Sequence, residues 1–214
     1  MNDLRVRVLR RLLRHREDVS QAANLLMIRM AAALWGVEIG DGCKFYGWPT
    51  FRRAPSSQIN IGRGCRFRSR HTSNMIGINR PCIIATLREG ASISIGSDCG
   101  FSGTTIGAAV DIRIGDNVMC GANTTITDTD WHHVDPSRRR DVVEVPAAPV
   151  ILEDNVWLGL NVVVLKGGVI GRNSVIAAGS IVTGRIPADV IAGGIPARVL
   201  RSLVVPQTQS VVER

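Results

Sequence analysis

The chain has few aromatic residues, almost no lysine and no paired cysteines. Only 4% of its 214 residues are Phe, Trp or Tyr, although 45% are hydrophobic. Small aliphatic side chains are therefore expected to fill its core. Lys44 and Lys166 are the only lysines, so the formal net charge of +8 rests on arginine. That balance favours anionic partners such as phosphates, nucleic acid or an acidic membrane face, and names none of them. Nucleic-acid binding is not expected, because no platform of interleaved basic and aromatic residues accompanies the charge.

The five cysteines, Cys43, Cys65, Cys82, Cys99 and Cys120, are odd in number and form no CxxC pair. This argues against a disulfide framework and against a cysteine metal cluster. Cys43, Cys65 and Cys99 each follow an isoleucine by four residues, in IGDGC, IGRGC and IGSDC. They read as small core residues, and a reducing, cytoplasmic setting is expected. The opening MNDLRVRVLRRLLRHRED lacks the apolar core of a signal peptide. The most apolar stretch, Ala22 to Leu34, contains Arg29 and is too short to span a bilayer. The expected protein is soluble, or peripheral at the inner face of the membrane.

What the chain does contain is a six-residue beat. From Leu152 it divides into LEDNVW, LGLNVV, VLKGGV, IGRNSV and IAAGSI. The first position is always aliphatic (Leu152, Leu158, Val164, Ile170, Ile176), and the fifth is small (Val156, Val162, Gly168, Ser174, Ser180). Period six suits neither a helix nor a free amphipathic strand. It predicts an all-β solenoid, a parallel β-helix whose coil is three hexads. Earlier copies begin at Ile39, Ile61, Ile95 and Ile114. Ile95 and Ile114 are 19 residues apart, whereas Ile114 and Leu152 are 38 apart. That surplus predicts one loop protruding from the coils at about residues 127–148, and it holds ITDTDWHHVDPSRRR. The expected organisation is a helical segment over residues 1–36, coils over 37–201 and a tail over 202–214. The first segment reads as two helices: a cap on the open solenoid or a basic amphipathic anchor on an anionic membrane, through residues 1–35.

The run DNVWLGLNVVVLKGGVIGRNSVIAAGSIVTGRIPADVIAGGIPARVLR, Asp154 to Arg201, resembles the hexapeptide-repeat acetyltransferases. The pattern is nearest to maltose and galactoside O-acetyltransferases and their relatives in capsule, exopolysaccharide and lipopolysaccharide synthesis. The resemblance implies a left-handed β-helix, a homotrimer, and acetyl-CoA held in clefts between subunits, with no metal. It implies a catalytic histidine in an HPxDP-like setting, which HHVDP matches with His132 at the histidine and His133 at the proline. His132 is the expected general base, with His133 the other candidate. It implies cofactor contacts from Trp157, Gly159, Leu160, Ala178, Thr183, Gly184, Arg198 and Arg201, with the Leu160 N–H steadying the oxyanion. Asp130, Trp131, His133 and Arg140 are candidate acceptor contacts; Asp128 and Asp130 are candidates to orient His132, to bind sugar hydroxyls or to shape a turn.

There are departures. Gly103 stands where the family carries an acceptor-binding asparagine, and Gly184 stands where it carries a lysine. With the unusual N-terminal segment, these point to a polysaccharide or lipid-linked precursor as acceptor. The alternatives are an acyltransferase acting on serine or an antibiotic, a zinc carbonic anhydrase on the same fold, and a scaffold without activity. The anhydrase needs three facing histidines, and only His15, His71, His132 and His133 exist.

Overall fold

The computed structural model describes residues 7, 24–142 and 144–203. The first expected helix, apart from helical Arg7, and the tail beyond 203 lie outside the described residues. A helix spans residues 24–34 (α1). Its inner side buries Ile28 and Ala32 in the same core as the first coils. Arg29 donates to the Gly40 carbonyl at 2.8 Å. Its outer side exposes Leu26, Met27, Met30 and Leu34.

From Val37 the chain winds through three faces of short parallel strands. The first face stacks β1 (Val37–Ile39), β4 (Gln58–Ile61), β7 (Ser92–Ile95), β10 (Asp111–Ile114), β13 (Val150–Leu152), β16 (Val169–Ile170) and β19 (Arg185–Ile186). The second stacks β2 (Lys44–Tyr46), β5 (Arg66–Arg68), β8 (Gly100–Ser102), β11 (Met119–Cys120), β14 (Trp157–Leu158), β17 (Val175–Ile176) and β20 (Val190–Gly194). There an antiparallel strand, β21 (Ala197–Ser202), folds back on β20. The third stacks β3 (Thr50–Arg52), β6 (Ile83–Thr86), β9 (Thr105–Ala108), β12 (Thr125–Thr127), β15 (Val163–Val164) and β18 (Ile181–Val182).

Register explains the six-residue beat. Ile114, Leu152, Ile170 and Ile186 pair in one column of the first face, all pointing into the core. The hexad-leading Leu152, Leu158, Val164, Ile170 and Ile176 are all buried. Each coil takes its backbone hydrogen bonds from the next, so neither coil is complete alone. The core departs from the aliphatic expectation in the first three coils. Phe45, Phe67 and Phe101 occupy one column, with ring centroids 5.1 Å and 5.0 Å apart. The interstrand spacing of about 4.8 Å is close to a comfortable stacking distance, so the register itself aligns the rings. The five cysteines are buried and free, as expected of small core residues.

Two excursions leave the coils. The expected one runs between β12 and β13. The other, residues 69–82 between β5 and β6, was not singled out from the sequence. Its signal was the 34-residue step from Ile61 to Ile95. It is tied down by Arg80, which donates to Asn123 O at 2.6 Å and to the hydroxyls of Thr125 at 2.9 Å and Thr105 at 3.1 Å.

The larger excursion is anchored at its base by Asp128, which is fully buried. Its carboxylate accepts the N–H groups of Ala109, Val110 and Asp111 at 2.6, 2.8 and 2.8 Å. Thr129 bridges Ala147, Arg88 donates to Val145 O at 2.8 Å, and Asp130 pairs with Lys166 at 3.1 Å. Asp128→Ala removes a charged acceptor from three backbone donors and should cost about 2–4 kcal/mol. The expected readout is a lower denaturant midpoint with faster proteolysis between residues 132 and 144, and Asp128→Asn should cost less. A midpoint unchanged by Asp128→Ala would contradict this anchoring role.

Candidate active site

Side chains alternate in and out along the second face. Its outer surface therefore carries two columns set by register. One runs Arg66, Gly100, Met119, Trp157, Val175. Beside it, Ser102, Gly121, Gly159 and Ala177 leave a floor without bulk. Trp157 forms part of one wall, and Asn74 and Ile76 of the smaller excursion form the other. The result is a groove of about 390 Å³ that also reaches Ala122, Leu160 and Ala178. The structure thus brings Trp157, Gly159, Leu160 and Ala178 together along one groove. Thr183 and Gly184 follow β18 on the third face, and Arg198 and Arg201 lie exposed on β21, farther along the solenoid.

Gly159 has a structural reason to lack a side chain. A Cβ there would stand 2.6 Å from the Ala178 nitrogen and 2.9 Å from its Cα. The next coil takes up that space, so coil stacking alone requires glycine.

The corners of the solenoid differ in how they treat their free N–H groups. Between the first and second faces, carboxylates of the next or preceding coil accept them. Ser97 N donates to Asp116 at 2.6 Å, Asp116 N to Asp154 at 2.8 Å, and Arg172 N to Glu153 at 2.9 Å. Between the second and third faces, the N–H groups of Ala122, Leu160 and Ala178 find no acceptor among the described residues. All three residues line the groove. A row of unpaired donors one coil apart suits an extended ligand bearing carbonyl oxygens.

The histidine loop is built on another corner. Pro136–Arg138 forms a 3-10 turn, capped by Asp135 accepting from Ser137 N at 2.9 Å and Ser137 Oγ at 2.8 Å. These bonds hold the Asp135 carboxyl below the usual carboxylate range. The DP of HHVDP is therefore a turn device. His132 is exposed, with Nδ1 at 3.2 Å from the Arg139 carbonyl oxygen. A carbonyl only accepts, so this contact requires the proton on Nδ1, which in the neutral ring puts the lone pair on Nε2. His133 is buried.

Trp131 lies back on the third face, its Nε1 donating to Thr127 Oγ1 at 3.2 Å and its ring 3.4 Å from the space a Gly107 Cβ would fill. Asp128 and Asp130 hold the loop base rather than His132. Arg140 is exposed on the rim. No residue of this loop lines the groove on the second face. Within one chain, His132 and the groove occupy different sides of the solenoid.

Gly103 also has a physical explanation. It adopts φ +56°, and a Cβ there would meet Arg80 O at 2.9 Å and Ile78 Cβ at 3.0 Å. The smaller excursion fills the place of any acceptor-binding side chain. Cys120 borders the adjoining hollow, but burial pushes its thiol up, as it does that of Cys82, so neither offers a thiolate near neutral pH. Among the described residues, no three His, Cys, Asp or Glu side chains come together as metal ligands. No helix among them is long and apolar enough to cross a membrane.

Comparison with known proteins agrees with the coiled fold. The profile described as hexapeptide repeat of succinyl-transferase matches residues 149–184. A galactoside O-acetyltransferase of Lactococcus lactis is 48% identical over 93 residues, 44% of each chain. The match thus spans less than half the length of that relative. A maltose O-acetyltransferase of Clostridium difficile is 30% identical over 77% of this chain and 71% of its own, with a TM-score of 0.43. AntD, an N-acyltransferase from Bacillus cereus solved with dTDP-4-amino-4,6-dideoxyglucose and coenzyme A, is 19% identical over 81% of this chain and 88% of its own. Its TM-score of 0.60 establishes the shared fold. By its repeat and its sequence matches, the chain is similar to the hexapeptide-repeat acetyltransferases.

Proposed function

We propose that the protein transfers an acetyl group from acetyl-CoA to a hydroxyl of a sugar or glycan precursor, working as a homotrimer. The observation that carries this reading is the pairing of a groove lined by unpaired N–H groups with an exposed His132 whose Nδ1 meets the Arg139 carbonyl oxygen. The two lie on different sides of one chain. A three-fold ring of chains sets the loop of one protomer against the groove of the next and completes three equal sites.

The groove suits the substrate. Its floor of Gly121, Gly159 and Ala177 admits a pantetheine arm close to the coils, and Trp157 flanks it. Arg198 and Arg201, exposed on β21, supply positive charge for nucleotide phosphates. His132 Nε2 takes the proton of the acceptor hydroxyl as its oxygen attacks the thioester carbonyl carbon. The Leu160 N–H donates to the oxygen that gains charge. The C–S bond then breaks, and the proton on His132 passes to the departing thiolate, giving the O-acetylated sugar and free coenzyme A. Asp130 and Lys166 hold the loop, while Arg140 and Trp131 border the acceptor side. The exposed Leu26, Met27, Met30 and Leu34 of α1 support a peripheral position at the inner membrane face, where lipid-linked capsule or lipopolysaccharide precursors are met.

His132→Ala should lower kcat by roughly a thousandfold while leaving the acetyl-CoA dissociation constant in place. Thiol release with a sugar acceptor, alongside calorimetry, measures both. If His132→Ala turns over normally and His133→Ala does not, the base is His133.

The site between subunits has its own test. Ala178→Trp fills the groove and should be inactive, like His132→Ala. Refolded together at equal ratio, the two should regain about a quarter of wild-type activity, the fraction of interfaces pairing an intact histidine with an open groove. Light scattering should give three chains per particle. Absence of recovery in mixed trimers would place base and groove in the same chain.

A further inference from the structure

The groove does not end where the thioester is placed. Past Gly121 and Trp157, which border both, it opens into a hollow of about 340 Å³ lined by Arg66, Arg68, Asp98, Ser102 and Met119. Register builds this hollow. Arg66 pairs with Gly100 and Arg68 with Ser102, so two long cationic side chains stand next to the smallest residues of the following coil. The Arg68 guanidinium lies over the Tyr46 ring, 5.5 Å from its centroid. Among the described residues, neither arginine is paired with a carboxylate. Asp98 is the single acidic residue of the lining, against two guanidiniums. Lys44, next in the column with Arg66, adds a further positive charge.

We propose that Arg66 and Arg68 form the acceptor subsite and select a sugar bearing an anionic group, a phosphate or a carboxylate, over a neutral one. The assignment to the acceptor rests on the acetyl-transfer reading above. Three observations lead there. The hollow continues the groove beyond the thioester position, where the attacking hydroxyl must lie. Arg66 and Arg68 sit five coils from the β20–β21 hairpin, about 24 Å at one interstrand spacing per coil. They are thus remote from Arg198 and Arg201, which serve the nucleotide phosphates of acetyl-CoA. Finally, a side chain at Gly103, next to Ser102 of the lining, would meet Arg80 O at 2.9 Å, so no larger neutral hydrogen-bonding group fits at that corner. Two planar forks over a small-residue floor leave charge as the principal means of recognition.

Calorimetric titration of the full protein tests this with three probes: a nucleoside-diphosphate hexose, a uronic acid disaccharide and a neutral disaccharide. At least one anionic probe should bind roughly tenfold tighter than the neutral one, and which one separates phosphate from carboxylate. In Arg66→Ala/Arg68→Ala that preference should vanish. The double lysine variant should restore part of it, and Arg52→Ala, on the third face, should keep all of it. Acetyl-CoA is titrated separately, and its affinity should not change in the double alanine variant.

Equal binding of neutral and anionic probes would overturn the proposal. So would a double variant that loses acetyl-CoA while keeping the anionic sugar. A wild-type protein that does not bind acetyl-CoA would instead remove the transferase reading, because the sugar titrations report on the arginine subsite directly.

Discussion

Each coil of this protein depends on the next for its backbone hydrogen bonds, at a spacing that no side chain can alter. That constraint explains more of the sequence than any pairwise contact does. Inward columns favour side chains of nearly the same reach, one directly above another in register, although Phe101 meets Cys120 and Ile176 meets Ala192. Ile114, Leu152, Ile170 and Ile186 meet this requirement with aliphatics, and Phe45, Phe67 and Phe101 meet it with stacked rings. The corners obey it too. At Gly159 the following coil passes so close that a single carbon would meet backbone.

The same stacking builds the groove. A column of small outward residues on one coil becomes a channel only because the next coil repeats the pattern at the same place. The corner N–H groups are equally repetitive. Between the first and second faces the chain supplies Asp116, Asp154 and Glu153 as acceptors; between the second and third, among the described residues, it supplies none for the N–H groups of Ala122, Leu160 and Ala178. The asymmetry places binding capacity on one edge of a nearly three-fold object. Polar backbone left unpaired at a surface costs little while water reaches it, and it remains available to a ligand.

How much was legible in the sequence follows from this physics. The solenoid could be read because the period belongs to the coil and repeats without interruption from Leu152 onward. The histidine loop could be read because a surplus of residues in a strict rhythm has to go outward. The smaller excursion was harder to see. It falls among early repeats whose spacing already varies, and nothing in its composition separates it from a corner. Trp157, Gly159, Leu160 and Ala178 meet because stacking fixes their places. The roles of Asp128 and Asp130 were not legible, since a carboxylate near a histidine looks the same whether it orients the ring or anchors the loop. Only the three N–H groups around Asp128 and the ammonium of Lys166 decide it. Arg66 and Arg68 were hidden for another reason. Their significance lies in what faces them one coil away, Gly100 and Ser102, 34 residues later in the chain.

A regular coil holds its outward groups in columns, each above a neighbour about 4.8 Å away, which is poor geometry for a base. An imidazole in such a column would share its surroundings with the residues above and below, and its ring would lie along the wall rather than point across a cleft. Moving His132 onto a loop frees its direction but introduces a chain of more than twenty residues whose ends must be fixed. Asp128 fixes one end by gathering three donors of the preceding coil, and the Asp130–Lys166 pair ties it to the coil beyond. Arg139 then fixes the ring's tautomer through its carbonyl oxygen. The cost of leaving the solenoid is therefore met by charged groups at the loop's base, and the histidine itself needs only one contact to present Nε2 outward. That division also accounts for the sequence of ITDTDWHHVDP. Its acidic residues come first because anchoring has to precede the reach, and its turn-forming Asp135 and Pro136 follow because the loop has to bend back once the histidine is in place.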